Sequence, residues 1–452
     1  MSDPVRDESS ALEHLLRAER EAAHPAGLAP SSPTLDIRSA AVVGAGTMGA
    51  GIAMCYASRG IPVLLKDVSD EALVKALSAI RANYEGSARK GRLTAAQSEQ
   101  AMRLITPTTT YDDFGTVDVV VEAVFEDLEL KRRIFAALGG VTREDCILAS
   151  NTSTLDIDAL AESSGRPSQV VGHHFFSPAH VMNLLEIVRG RDTNDSVLAT
   201  SLAIAKRLGK IGVVVGNCFG FVANRLLAYY MREAYLLLEE GATVEQIDRV
   251  LVDFGMPVGP FAMQDIAGID VGTRIRQHLA KLGKTRADGP QSEVPDRLFD
   301  LGRYGQKTSA GWYRYEPGSR RPIPDPLVNE IAAAAAARRG IERRTHVPDE
   351  EILARIMTAL VNEGLRVLGD GFASRAGDID VIYCHGFGFP RSRGGPMFHA
   401  ETIGLAAVLS HVREYRERYG DYWRPAPLLE RLVRDRRSVY DTRPPRVTPG
   451  VT

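Results

Sequence analysis

Cysteine is scarce in this chain. Cys55, Cys146, Cys218 and Cys384 are scattered through 452 residues, with no CxxC pair and no nearby Cys/His spacing suited to a metal. That argues against a disulfide framework or a metal site, and the four are expected to be buried small hydrophobes in a reducing compartment. Excess charge is missing too, since 55 Lys+Arg stand against 57 Asp+Glu for a net charge of −2. Without a basic surplus, neither nucleic acid nor a membrane surface is expected as a partner. No apolar run reaches the roughly 18 residues that a membrane span needs. The acidic, polar stretch Met1 to Ser10 lacks the basic start and apolar core of a signal peptide. The ending Pro449-Gly450-Val451-Thr452 is not a peroxisomal SKL-type signal. Cytoplasm is the expected location.

What is present is a composition with 44% hydrophobic residues and a length that suits two to four domains. Ala11 to Ala23 reads as one helix, followed by a Pro-, Ala- and Gly-rich linker from Pro25 to Pro33. Short apolar runs then alternate with helical stretches: Ala40–Val43, Val63–Leu65, Val117–Val121, Ile147–Ala149, Val170–Phe176 and Leu184–Val188. This rhythm predicts a parallel sheet covered by helices. Beyond Gly216 the pattern turns helical and repeats itself. Asn224-Arg225-Leu226, Glu240-Gly241, Ile247-Asp248, Phe254-Gly255-Met256-Pro257 and Gly259-Pro260-Phe261 recur as Ala354-Arg355-Ile356, Asp370-Gly371, Ile379-Asp380, Phe387-Gly388-Phe389-Pro390 and Gly395-Pro396-Met397. The expected organisation is a helix and tail over 1–37, a Rossmann-type α/β domain over 38–215, a first all-α domain over 216–325 and a related all-α copy over 345–445.

Ala40 to Val43 runs into Gly44-Ala45-Gly46-Thr47-Met48-Gly49, a strand entering GxGxxG and then a helix. Gly44 permits the tight turn, Gly46 lets a pyrophosphate approach the backbone, and Gly49 lets helix and strand pack closely. The next strand ends at Asp67, 18 residues past Gly49, where a carboxylate binds ribose hydroxyls and repels a 2′-phosphate. NAD is therefore expected over NADP, with the adjacent Lys66 as the one feature that would soften the preference. The plainer reading makes Asp67 a strand-end turn residue.

A dehydrogenase also needs a base for the hydroxyl proton. Val170 to Phe176 and Leu184 to Val188 read as two strands around a turn. If they form a hairpin centred on His180, facing residues sum to 360, which sets His174 opposite Glu186. A carboxylate beside an imidazole fixes its tautomer and raises its basicity. The hairpin alone leaves this dyad open: one of His173 and His174 is expected to be a structural, hydrogen-bonded residue, and a lone Glu in a strand also serves as an ordinary ion-pair partner. Ser150-Asn151-Thr152-Ser153 after the strand Ile147-Leu148 reads equally as a ligand-binding loop or a capping turn. Glu122 and Glu126 after the strand Val119 to Val121 read equally as site carboxylates or helix-start charges.

These stretches together resemble the L-3-hydroxyacyl-CoA dehydrogenases of fatty-acid β-oxidation. The likeness runs from about Ser39 to Leu409 through GAGTMGAGIA, VVVEAVFEDLELK, SNTSTL, HHFFSPAHVMNLLEIV, GNCFGFVANRLL, MPVGPF, RYGQKTSAGWY and YCHGFGFPRSRGGPMF. It is strongest to the dehydrogenase half of peroxisomal-type bifunctional enzymes. Leu16 to Ala22 resembles the helix that there follows an enoyl-CoA hydratase domain, itself absent from this sequence. The resemblance implies NAD-dependent oxidation of 3-hydroxyacyl-CoA, with His174, Glu186, Ser153 and Asn224 as catalytic residues. It makes Glu126, Lys131 and Lys307 cofactor contacts beside Gly44, Gly46, Thr47, Met48, Gly49 and Asp67. Lys90, Ser153 and Asn224 become substrate contacts, Lys90 at the CoA phosphates. Ala354 stands where Asn224 is repeated, so the second copy is expected to be structural. The chain departs from the family at Asn83 and Ser177, which touches CoA contacts and chain-length preference. A homodimer and a separate hydratase or thiolase subunit are the partners the resemblance suggests. The rival readings are another Rossmann hydroxy-acid dehydrogenase, in which a lysine serves as base, and a non-catalytic NAD-binding protein of this fold.

Overall fold

The six apolar runs become strands, and Ile105–Thr108 and Ile211–Gly216 add two more, in a computed structural model that describes Glu8–Thr442 apart from Leu282, Lys284 and Arg286. They are β1 (Ala40–Val43), β2 (Val63–Lys66), β3 (Ile105–Thr108), β4 (Val119–Glu122), β5 (Ile147–Ser150), β6 (Val170–Phe175), β7 (Leu184–Arg189) and β8 (Ile211–Gly216). The expected residues 1–7 and 443–445 lie outside the described residues, as do the signal-peptide reading of residues 1–7 and the C-terminal Pro449 to Thr452. The sheet order is β3-β2-β1-β4-β5-β6-β7-β8. All neighbours are parallel except β6 and β7. The chain moves outward from β1 to β2 and β3, then crosses back to β4 beside β1. Such a reversal opens a crevice at the carboxyl ends of the strands, where open α/β sheets bind ligands. β3 carries no apolar run and includes Pro107, which confines it to the sheet edge and hides it from a pattern search.

The chain divides into two compact units. The sheet unit comprises Leu16–Val222 and Asp370–Gly386 among the described residues. Its core runs through Val42, Val63, Val121 and Ile147 to the almost wholly buried helix Thr47–Ala57. A short segment from the expected second copy also belongs here, not with the remainder of that copy. Gly216 N–H donates to the Phe372 carbonyl at 2.8 Å, and Gly386 leaves room for Leu184 and Phe176.

The helix Glu8–Ala22 buries Ala11, Leu15, Ala18 and Ala22, an i, i+4, i+7, i+11 stripe. Within the sheet unit its latter half lies on the helix Ala376–Gly386. Gly377 admits Ala18, Arg375 donates to the Glu21 and His24 carbonyls at 2.6 and 2.9 Å, and His385 pairs with Glu19 at 2.7 Å. In the helical unit, His14 stacks on Phe398, ring centroids 4.7 Å apart.

The helical unit contains Ala223–Gly369 and Phe387–Thr442, with the first turns of the N-terminal helix up to Leu15. The helices Phe221–Glu240, Val244–Phe254, Pro260–Ala267 and Ile269–Lys281 are repeated as Asp349–Gly369, Ala376–Gly386, Pro396–Ile403 and Leu405–Tyr419. Ion pairs between the long first helices of the two copies are reciprocal. Arg225 bonds Glu363 at 2.6 Å and Arg355 bonds Glu233 at 2.8 Å, and each of Arg355 and Glu363 stands 130 positions after its counterpart. Residue i of one copy meets j of the other while j meets i, the signature of a two-fold interface.

Candidate active site

The glycine loop is built around two steric limits and one open face. Gly44 has φ of 105°, a conformation suited to glycine. A Cβ on Gly49 would lie 1.7 Å from the Gly44 carbonyl oxygen, so helix Thr47–Ala57 reaches the strand only without a side chain there. A Cβ on Gly46 would meet nothing within 4 Å. Protein packing therefore does not demand a glycine at 46, whereas a pyrophosphate laid against the backbone does. Gly46 caps the helix without a side-chain hydrogen bond, leaving the first N–H groups, at Thr47, Met48 and Gly49, for an anion. Asp67 completes the cradle: one carboxylate oxygen accepts from Ala45 N–H at 2.7 Å, the other from Val68 N–H at 2.8 Å. Lys66 is turned away, its buried ammonium 4.5 Å from the Tyr111 ring centre. These residues fit a dinucleotide with an unphosphorylated ribose.

The strand ends bring the next groups into line. Val43 pairs with Glu122, Glu122 with Ser150, and Ser150 with Gly172. Two residues on, His174 lies opposite Glu186 in the antiparallel pair, the register expected from the hairpin. Its Nδ1 is 2.7 Å from Glu186 Oε2, with Glu186 fully buried and His174 5% exposed. Nδ1–H donates to the carboxylate, so Nε2 is left as the ring's proton acceptor. Phe176 and Phe221 wall the imidazole, with centroids 4.9 and 5.7 Å away. Phe221 has φ of 48°, a strained value for a bulky residue beside a polar site.

His173 serves differently. Its side chain points to the opposite face of the strand, where Nε2 lies 2.8 Å from Ser201 Oγ. Ser201 already donates to the Val197 carbonyl, so Nε2–H of His173 is the donor. Burial pushes His173 down to about 3, and the ring is neutral at physiological pH.

Ser153, half-buried, sits in the loop after β5, and Glu126 accepts hydrogen bonds from that loop. Lys131 is buried against Glu122 at 2.6 Å and faces Glu126 at 3.6 Å. Lys90 is exposed at the end of helix Asp70–Arg89, the helix that also carries Asn83. Asn224, on the first turn of Phe221–Glu240, and Lys307, paired with Asp270, belong to the helical unit.

Two asparagines to which the sequence assigned no individual role support the site. Asn151 Oδ1 accepts from Phe175 N–H at 2.9 Å and ties β5 to the strand end carrying His174. Asn217 accepts from Ile157 N–H at 3.3 Å and donates to Asp156 at 2.5 Å, fixing the segment after β8. Both lie in motifs already noted, SNTS and GNCFGF, but their partners are remote in sequence.

The model of the 3-hydroxyacyl-CoA dehydrogenase NAD-binding domain matches residues 39–218, and that of the family's C-terminal domain matches 220–315 and 352–442. The chain belongs to the 3-hydroxyacyl-CoA dehydrogenase family. In this family the peroxisomal bifunctional enzyme of Danio rerio is 43% identical over 415 residues, 89% of this chain and 57% of that protein. The chain spans 57–61% of the length of the first curated relatives it matches. Among solved family structures, the 3-hydroxybutyryl-CoA dehydrogenase of Escherichia coli K12 superposes with a TM-score of 0.76 at 28% identity, over 88% of this chain and 98% of that one. The (S)-3-hydroxybutyryl-CoA dehydrogenase of Ralstonia eutropha is 35% identical with a TM-score of 0.58, over 62% of this chain and all of that one. Membership makes NAD the cofactor of the sheet unit. No helix among the described residues is long and apolar enough to cross a membrane.

Proposed function

We propose that the protein oxidises (3S)-3-hydroxyacyl-CoA to 3-oxoacyl-CoA in fatty-acid β-oxidation or related acyl-CoA degradation. The observation that carries this reading is the buried His174–Glu186 pair, 2.7 Å apart, on the strand that continues the row of strand ends from the glycine loop. His174 Nε2 takes the hydroxyl proton, while Glu186 holds Nδ1–H and offsets the charge of the imidazolium. Ser153 and Asn224 hold the reacting oxygen or the thioester carbonyl. Bound NAD supplies the hydride acceptor, cradled by Gly44, Gly46, Thr47, Met48, Gly49 and Asp67, with Glu126, Lys131 and Lys307 as further contacts. Lys90 meets the CoA phosphates. In the reverse reduction His174 gives the proton back.

The same reading divides the chain into an NAD-binding domain, a first helical domain that takes part in the site, and a second copy that is structural. A cytoplasmic location accords with four cysteines that are thiols rather than disulfides, although the relative from Danio rerio is named peroxisomal. A homodimer and a separate hydratase or thiolase remain the proposed partners, to be sought by sedimentation and by pull-down from native extract.

The test is His174→Ala assayed by NADH absorbance with acetoacetyl-CoA. Turnover should fall by about two to four decades while NADH still binds. Undiminished turnover would overturn the assignment. Repeating the parent assay with NADPH in place of NADH tests Asp67, and activity should be confined largely to NADH.

A further inference from the structure

One oxygen of Glu126 gathers four donors. Thr152 O–H lies 2.6 Å from Oε1, Ser153 N–H 2.9 Å, Thr154 N–H 3.0 Å and Thr154 O–H 3.1 Å. The other oxygen is turned toward Lys131 Nζ, 3.6 Å away. Lys131 is only 1% exposed and is pinned in turn, donating to Glu122 at 2.6 Å and to the Val124 carbonyl at 3.3 Å. Glu122 also accepts from Ser150 O–H at 2.7 Å, and Ser150 Oγ accepts from Thr152 N–H at 3.2 Å. Two carboxylates and one ammonium, supplied by the end of β4, the loop that follows and the helix Leu128–Val141, thus hold Ser150 to Thr154 along its length. Ser153 is held through its backbone N–H, and its hydroxyl is not one of the four donors.

We propose that Glu126, braced by Lys131 and Glu122, is a positioning residue for Ser153. A Ser-Asn-Thr-Ser-Thr segment has many local turns open to it, because each short polar side chain can bond its own backbone. A single acceptor shared by three consecutive residues selects one of them. The residue thus acts on the substrate side of the site, beyond the cofactor contact implied by the resemblance. This inference rests on the reading that Ser153 holds the reacting oxygen.

The experiment uses the full chain with Glu126→Ala and Glu126→Gln. Three quantities are measured: the dissociation constant of NADH by fluorescence, kcat and KM for acetoacetyl-CoA at saturating NADH, and hydrogen exchange of a peptide spanning 151–155. In Glu126→Ala, kcat should fall about 100-fold, as expected when a reacting contact moves by an ångström. The fall in kcat should persist at saturating NADH whatever the change in NADH affinity, and exchange in 151–155 should accelerate. Glu126→Gln keeps an oxygen acceptor without the charge and should recover kcat to within about tenfold of the parent. Should the Ala variant fail to fold, Glu126→Asp replaces it: one methylene short, it should reproduce the kcat loss and the faster exchange. Weakened NADH binding with unchanged kcat at saturation would make Glu126 a cofactor contact only and overturn the proposal. So would unchanged exchange in 151–155. A parent chain inactive on 3-hydroxyacyl-CoA would defeat the functional reading instead, with the exchange measurement still deciding what holds the loop.

Discussion

Three residues apart in one loop, Gly46 and Gly49 are surrounded by opposite things. Gly49 is pressed against the Gly44 carbonyl, while Gly46 borders open space. Gly46→Ala should therefore leave thermal stability near the parent and weaken NADH binding at least tenfold, whereas Gly49→Ala should lower the melting temperature or prevent folding. Calorimetry and fluorescence titration separate the two. The paired histidines offer a similar contrast through pH. With His173 at about 3 in the folded protein and near 6.5 in the unfolded chain, only the unfolded state binds a proton between those values. Stability is thus fully present above about pH 6.5 and declines as pH falls toward 3, by on the order of a few kcal/mol. In His173→Gln, which can still donate to Ser201, urea unfolding should show a flatter slope over pH 4.5–6.5. The His174–Glu186 pairing was legible because an antiparallel register needs only two strands and a turn. The partner that holds His173 was not, since Ser201 comes from the helix Asp195–Arg207, whose rotation no local pattern specifies.

The N-terminal helix shows what an amphipathic pattern can and cannot reveal. Its existence follows from composition, but its seat on Ala376–Gly386 depends on Arg375 and His385, more than 350 residues away. Arg375 caps carbonyls at the end of this helix, donors that a helix C-terminus otherwise lacks. Arg375→Ala should cost about 1.5–3 kcal/mol, the usual range for hydrogen bonds to a charged group. Limited proteolysis should then cut faster within the linker 25–33; an unchanged cleavage rate would mean that the cap contributes nothing to holding the helix. Most strands with both faces buried were readable, as in Val119–Glu122, although Ile211–Gly216, buried beyond its first residue, was not, and Ile105–Thr108, whose burial is partial, was unreadable. Edge strands make weaker demands on sequence than central ones.

Across the helical unit, two like-charged arginines are neutralised by glutamates from opposite copies. Reversing one pair tests that arrangement. Arg225→Glu should destabilise the chain by about 3–5 kcal/mol, because it leaves Glu363 buried beside another carboxylate. Adding Glu363→Arg should return more than half of that loss in a double-mutant cycle, measured by chemical unfolding. Additive losses would mean that the two side chains do not interact. The repeat itself was visible in matched Gly and Pro turns. The crossed pairing was not, because periodicity specifies each copy's fold and says nothing of where its twin will dock.

That crossed pairing has a bearing on inheritance. When two identical chains meet about an axis, one codon change alters both sides together, so neither half can abandon a role the other still needs. Two halves encoded in tandem answer to separate codons. One holds Asn224 and the other Ala354 at the matching place, while Arg225, Glu233, Arg355 and Glu363 keep the join complementary. Freed from duplicate duty, the later half can lend Asp370–Gly386 to the sheet unit, a division of labour closed to a symmetric pair.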